Sequence, residues 1–261
     1  MSRSVILAAT AALVLASGAG AAFAQTPGPA QASTQAASGG FAAALADPVR
    51  TEADRGRDAA RHPAEILAFA EVAPGQKVVD MIIGGGYFTR LFSAAVGPSG
   101  HVTAWQPAEF IGFSPDYAAS IAAAGELANA DAIRSPIGAP DFPADADLIF
   151  TAQNYHDLHL KDFAADTAAK VNAAAFAALR PGGLYLIIDH RAPEGTGLTA
   201  VDSLHRIDAA TIRSEVEAAG FVLDGQSNVL ANPDDDRSLN VFDPGIRGRT
   251  DQIVYRFKKP N

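Results

Sequence analysis

Two short stretches of this 261-residue sequence concentrate side chains able to do chemistry. In the first, Asp80-Met81-Ile82-Ile83-Gly84-Gly85-Gly86, an acid and a short apolar step precede three consecutive glycines. Glycine lets the backbone take positive φ and lets a ligand approach where a Cβ would stand, while a helix starting just beyond offers free N–H groups. Gly84, Gly85 and Gly86 are therefore candidate binding residues. Asp80 is placed to orient the turn or to meet a cationic ligand group. In the second stretch, Asn154-Tyr155-His156-Asp157-Leu158-His159, two imidazoles lie on either side of a carboxylate. Asp189-His190-Arg191 and His205-Arg206-Ile207-Asp208 repeat the theme.

Two chemistries suit the second set. His156 or His190 is a candidate general base, with Asp157 or Asp189 orienting the ring, because imidazole titrates in the useful range. Alternatively His156, His159, His190 and neighbouring carboxylates bind a divalent metal, although no specific metal motif is present. The plainest reading makes each histidine an ordinary strand-end or helix-capping residue. Asp234-Asp235-Asp236 lacks the spacing and distal Glu of a calcium loop and reads as a solvated loop. Trp105 is placed either to stack on a ligand or to pack in the core, and Phe110 to Tyr117 either to form a lid or to cover the sheet.

These residues need elements to hold them. Lys77 to Ile83, His101 to Trp105, Ala146 to Ala152, Gly183 to Ile188, Phe221 to Gln226 and Ile253 to Phe257 are short apolar runs bounded by turn residues, the pattern of buried strands. Between them lie helical patterns over Tyr87 to Val96, Asp162 to Leu179 and Asp208 to Ala219. Further helical pieces, Phe41 to Ala46, Arg50 to Ala60 and one opening at His62-Pro63, precede the first strand. Alternation of this kind predicts an α/β fold, a Rossmann-like doubly wound and mostly parallel sheet with helices on both faces. In such a sheet ligands bind beyond the carboxyl ends of the strands, where the glycine turn and the histidine segments fall.

Composition narrows the possibilities. With 48% hydrophobic residues, the chain can bury a core without the disulfides that its lack of cysteine forbids. The absence of cysteine also excludes thiol nucleophiles and cysteine-ligated zinc. A net charge of −9 leaves no basic face for nucleic acid. Residues 1–24 read as a signal peptide: Arg3, an apolar run from Val5 to Leu15, and a small-x-small site at Ala22-Phe23-Ala24. The expectation is export, to the periplasm, with no stable membrane anchor after cleavage. Gln25 to Gly40 is uncharged and built of Ala, Gln, Ser, Thr, Pro and Gly, a linker composition. The remaining 41–261 form one domain.

Three segments together resemble the class I S-adenosylmethionine-dependent methyltransferases: VVDMIIGGGYFTRL (Val78 to Leu91), DLIFTAQNYHDLH (Asp147 to His159) and ALRPGGLYLIIDH (Ala178 to His190). AAGF (Ala218 to Phe221) is similar to that family's entry into its final hairpin. The resemblance covers roughly residues 60 to 258 and implies a seven-stranded sheet, S-adenosylmethionine as cofactor, S-adenosylhomocysteine as product, and methyl transfer to oxygen or nitrogen of a small molecule. It also implies that Asp80, Gly84, Gly85, Gly86, Gln106 and Asn154 line the cofactor, with His156, Asp157 and His190 facing the acceptor. Two positions depart from the pattern. Ile82 replaces the first glycine of the loop, and Gln106 stands where an acid usually holds the ribose hydroxyls. A non-catalytic binding protein of the same fold, or a metal-dependent enzyme using the histidines, are the alternatives.

Overall fold

Lys77–Met81 (β1), His101–Pro107 (β2), Ala130–Ser135 (β3), Ala146–Ala152 (β4), Leu179–His190 (β5), Val222–Gln226 (β6) and Gln252–Lys258 (β7) hydrogen-bond into one sheet in the computed structural model, which describes residues 39–261. The strand order is β3-β2-β1-β4-β5-β7-β6. Neighbours from β3 through β5 pair in parallel, whereas β7 runs antiparallel to both β5 and β6. The expected signal peptide, and all of the expected linker before Gly39, lie outside the described residues.

Strand periodicity divides the core in two. Val79, Met81, Ile149 and Ile187 belong to one apolar cluster, while Val78, Leu148, Phe150, Leu186 and Ile188, one residue out of phase, belong to the other. Both faces of the central strands are buried, which is why they read as continuous apolar runs. On the Val78 face pack Pro63–Phe69 (α4) and Tyr87–Val96 (α5), through Ile66, Leu67, Phe88, Leu91 and Phe92. On the other face lie Thr167–Ala178 (α7) and Ala209–Ala218 (α9), through Val171, Ala175, Ile212 and Val216. Three short helices, Ala42–Ala46 (α1), Glu52–Arg55 (α2) and Asp58–Arg61 (α3), precede α4. Pro115–Gly125 (α6) follows β2, and Val201–Leu204 (α8) follows β5.

Some elements depart from the sequence reading. Strand β3 and helix α6 carry no long apolar run. The strand is a half-exposed edge of mixed polarity, and the helix buries only Ala124. A helix signal existed nonetheless, because Ser114 caps α6 by accepting from the Asp116 N–H at 3.2 Å, with Pro115 in the first turn. The helix expected from Asp162 begins only at Thr167. Strand β5 begins four residues before the expected Gly183, and Arg180 to Gly183 form a register shift inside it, with Gly182 at φ +74°. A Cβ on Gly183 would stand 2.9 Å from the Arg180 carbonyl, which explains the glycine.

Candidate functional site

The strand order reverses between β1 and β4, whose carboxyl ends therefore border a crevice. There the structure has a cavity of about 710 Å³ that reaches from the glycine turn to the histidine cluster. Its volume is that of a small-molecule site.

At the β1 end the site is made mostly of backbone. Ile82 sits at φ +62°, a left-handed conformation that glycine adopts without strain and a β-branched residue rarely does. Its N–H donates to the Trp105 carbonyl at 2.8 Å, and its buried side chain belongs to the apolar cluster containing Val79 and Met81. The loop thus keeps a glycine-like path with an isoleucine in it. Gly84, at φ +53°, and Gly85 line the cavity, and a Cβ on either would meet no atom within 4 Å. Gly86, at φ +75°, caps α5 and does not line the cavity. Asp80 is buried and accepts from the Thr89 hydroxyl at 2.6 Å. Burial pushes its carboxyl up to about 7, against the opposing pull of Thr89, Arg61 and Arg90.

Gln106 departs from its expected place. It is fully buried beneath the turn and outside the cavity lining, its Oε1 accepting from the Gly84 N–H at 3.2 Å. Its Nε2 has no hydrogen-bond partner. Trp105 is equally buried and donates from Nε1 to Ser135 at 2.8 Å, so the core reading of this ring holds. Asn154 does line the cavity, and its amide donates to the carbonyls of Ile82 at 3.2 Å and Ala152 at 2.6 Å, tying the β4 loop to the β1 turn.

The amino-terminal helices close one side. Asp54 holds Arg90 through two bonds of 2.6 and 2.7 Å, Asp58 accepts from the Tyr87 hydroxyl at 2.7 Å, and Arg50 pairs with Asp58. Arg90 and Tyr87 stand in the first turns of α5, so residues 50–61 are fixed against the start of that helix. This brings Arg57 and Arg61 into the cavity wall, with Arg61 lying over the Tyr87 ring at 4.6 Å. Burial lowers Arg61 to about 10. Neither arginine carried a sequence signal.

The opposite end is made of side chains. His156 and Asp157 begin a single 3-10 turn after β4. Asp189, fully buried at the end of β5, accepts from the His156 backbone N–H at 2.6 Å and from the His190 N–H at 2.7 Å, and meets His156 Nδ1 at 2.8 Å. His156 Nε2 lies 3.2 Å from Asp157 Oδ1 and 3.3 Å from His205 Nδ1. Burial opposes charge on this ring, but Asp189 and Asp157 outweigh it and raise His156 to about 10. Asp157 is held down to about 2 by the same pairing, against its own burial. The carboxylates on either side of the ring thus favour its protonated form. His190 lines the cavity with Nδ1 2.7 Å from the Thr250 hydroxyl, and burial lowers it to about 3, leaving the ring neutral.

Of the histidines expected to gather around a metal, His159 is absent from the cavity lining and meets Glu215 at 3.0 Å instead. His205 takes its place beside His156. The Asp234–Asp236 segment is also not simply solvated: Asp235 is buried and holds Arg206 through two bonds of 2.8 and 3.1 Å. Phe110, Phe113, Tyr117 and Phe242 form an aromatic rim, with Phe113 and Phe242 more than half exposed at 55% and 56%. The Phe110 to Tyr117 segment accordingly borders the cavity and does not only cover the sheet.

No family model matches the chain, and no curated protein does. Solved structures do. A SAM-dependent methyltransferase from Aquifex aeolicus superposes with a TM-score of 0.51 at 16% identity, over 75% of this chain and 88% of that one. An S-adenosylmethionine-dependent methyltransferase from Mesorhizobium loti gives 0.53 at 15% identity, over 77% and 98%. The 1,6-didemethyltoxoflavin-N1-methyltransferase of Burkholderia thailandensis, solved with 1,6-didemethyltoxoflavin and S-adenosylhomocysteine, gives 0.53 at 18% identity, over 80% and 82%. At these identities the likeness is one of fold: a seven-stranded Rossmann-like sheet flanked by helices.

Proposed function

We propose that this chain is an S-adenosylmethionine-dependent methyltransferase acting on a small-molecule acceptor. One observation carries the reading: a single cavity joins an open glycine turn to a polar cluster on the neighbouring strands. The turn fits the cofactor, because Gly84 and Gly85 leave space where side chains would stand and Asp80 offers a carboxylate beside it. Asn154 holds the opposite lip. Gly86 shapes the start of α5, and Gln106 supports the turn from below. Arg57 and Arg61 supply positive charge in the same cavity.

Bound S-adenosylmethionine would supply a methyl group on a sulfonium centre, open to attack by an oxygen or nitrogen nucleophile. The chain's own residues position the acceptor. The aromatic rim offers apolar surface beside the cavity, and the His156 imidazolium, fixed between Asp189 and Asp157, presents positive charge. His190 is the neutral ring and the remaining candidate to receive a proton, as a weak base. With so little base strength available, positioning supplies most of the rate, which favours an acceptor atom carrying a free lone pair at neutral pH. Export to the periplasm after loss of residues 1–24, with 25–40 as linker, completes the reading. Among the described residues no helix is long and apolar enough to cross a membrane.

Titration calorimetry with S-adenosylhomocysteine tests the proposal: saturable binding at one site is expected, and no heat at millimolar ligand removes the enzyme reading. Ile82 and Gln106 favour a second reading, a binding protein of the same fold without catalysis. On that reading the altered turn holds the cofactor weakly or not at all, and Ile82→Gly or Gln106→Asp would create or sharply strengthen binding.

A further inference from the structure

We propose that His156 Nε2, Asp157 Oδ1 and His205 Nδ1 form a binding site for one first-row divalent transition metal, open to the cavity. The three atoms are separated by 3.2, 3.3 and 3.9 Å. Donors about 2.1 Å from a common ion lie roughly 3.0 Å apart at right angles and roughly 3.4 Å apart in a tetrahedron. Two of the three separations match the edges of such a polyhedron. The third needs His205 to move by about half an ångström, and this is the most exposed of the three side chains, at 26%.

Three further features favour an ion over a plain hydrogen-bonded cluster. Asp189 engages the other ring nitrogen of His156, so that Nε2 is aimed at the cluster, and a bound metal would take the place of the Nε2 proton, which it releases. A carboxylate behind a ligating imidazole is the usual outer partner in metal sites, where it fixes tautomer and ring orientation. His205 ends α8 at φ +53°, a left-handed backbone that a non-glycine residue keeps only when its surroundings impose it. That conformation delivers Nδ1 to within 3.3 Å of another imidazole nitrogen, a contact for which a shared cation gives both atoms a common partner. All three residues also line the large cavity, so an ion here would keep positions free for water or for an oxygen of a small molecule.

The donor set selects the ion class. Two imidazoles and one carboxylate suit zinc, iron, manganese or cobalt, whereas magnesium and calcium prefer oxygen throughout. No cofactor is required for the metal to bind, so this proposal and the methyltransferase reading fail separately.

Cobalt(II) and zinc titrations of the purified, EDTA-stripped protein provide the test. One equivalent of Co²⁺ should saturate visible d–d bands, and Zn²⁺ should displace it. His205→Ala, at the least buried ligand, should weaken binding by a hundredfold or more, beyond the roughly 10- to 100-fold typical of outer-shell changes. Asp157→Asn should do the same, and His159→Gln should leave the titration unchanged. Absence of saturable Co²⁺ or Zn²⁺ binding by folded protein overturns the proposal, as does binding that survives both ligand substitutions.

Discussion

The two ends of the cavity are built from different materials. Around Gly84 the chain offers backbone, space and one buried acid, and the loop accepts Ile82 where glycine would sit without strain. Around His156 it offers side chains locked to one another: a single carboxylate, Asp189, meets His156 twice and His190 once. A backbone-made surface tolerates a changed side chain as long as φ and ψ are kept. A network of buried charges does not, because every group removed leaves a partner unpaired.

The sharpest way to break this contrast is Asp189→Asn. The buried imidazolium loses the closer of its two counter-charges, and a destabilisation of about 3–5 kcal/mol is expected in urea denaturation at pH 7. A loss below about 1 kcal/mol would mean that the histidine end is as tolerant as the glycine end.

Asp80→Asn follows, and its effect depends on pH. Below the ordinary carboxyl pKa of 3.8, Asp80 is protonated in both folded and unfolded chains, and its burial costs nothing extra. From there up to about 7 the unfolded chain releases the proton while the folded one retains it, so stability falls with rising pH and then levels. The total is at most about 4 kcal/mol. The asparagine variant should lack this slope, matching the wild type near pH 4 and exceeding its stability at pH 8, while binding S-adenosylhomocysteine more weakly. Equal slopes for both proteins would show that Asp80 titrates normally.

Smaller effects are expected in the loop itself. Ile82→Gly relieves left-handed strain but empties a buried position, and the balance is a loss of about 2 kcal/mol. Calorimetry should find product affinity within about tenfold of wild type, or 1.4 kcal/mol; a larger gain would support the binding-protein reading. Gly85→Ala separates folding from binding most cleanly. The residue has no positive φ and the added methyl meets nothing, so stability should stay within about 1 kcal/mol. Affinity for S-adenosylhomocysteine should nevertheless drop at least tenfold, or about 1.4 kcal/mol, because the methyl occupies ligand space. Unchanged affinity would place the cofactor elsewhere.

The sheet was largely legible from the sequence, because strands buried on both faces must be apolar throughout and the turns between them need glycine and proline. Six of the strands, helix α5 and the glycine turn were visible in that way. Strand β3 and helix α6 were not, since an edge strand and an alanine-rich surface helix carry little apolar pattern. The site was legible only in part. Asp80, Gly84, Gly85, Asn154, His156, Asp157 and His190 do line the cavity. Gln106 lies beneath it, and His159 turned to Glu215 on α9.

By itself the sequence determined which residues could be buried, where the chain could turn sharply, and that imidazoles and carboxylates cluster after the strands. Which imidazole meets which carboxylate was decided only by tertiary structure. His156, Asp189 and His205 are far apart in the chain and come together through the pairing of β4 with β5 and the left-handed end of α8. That proximity sets the charge on each ring: carboxylates on two sides keep His156 protonated, and burial keeps His190 neutral, although the two residue types are identical.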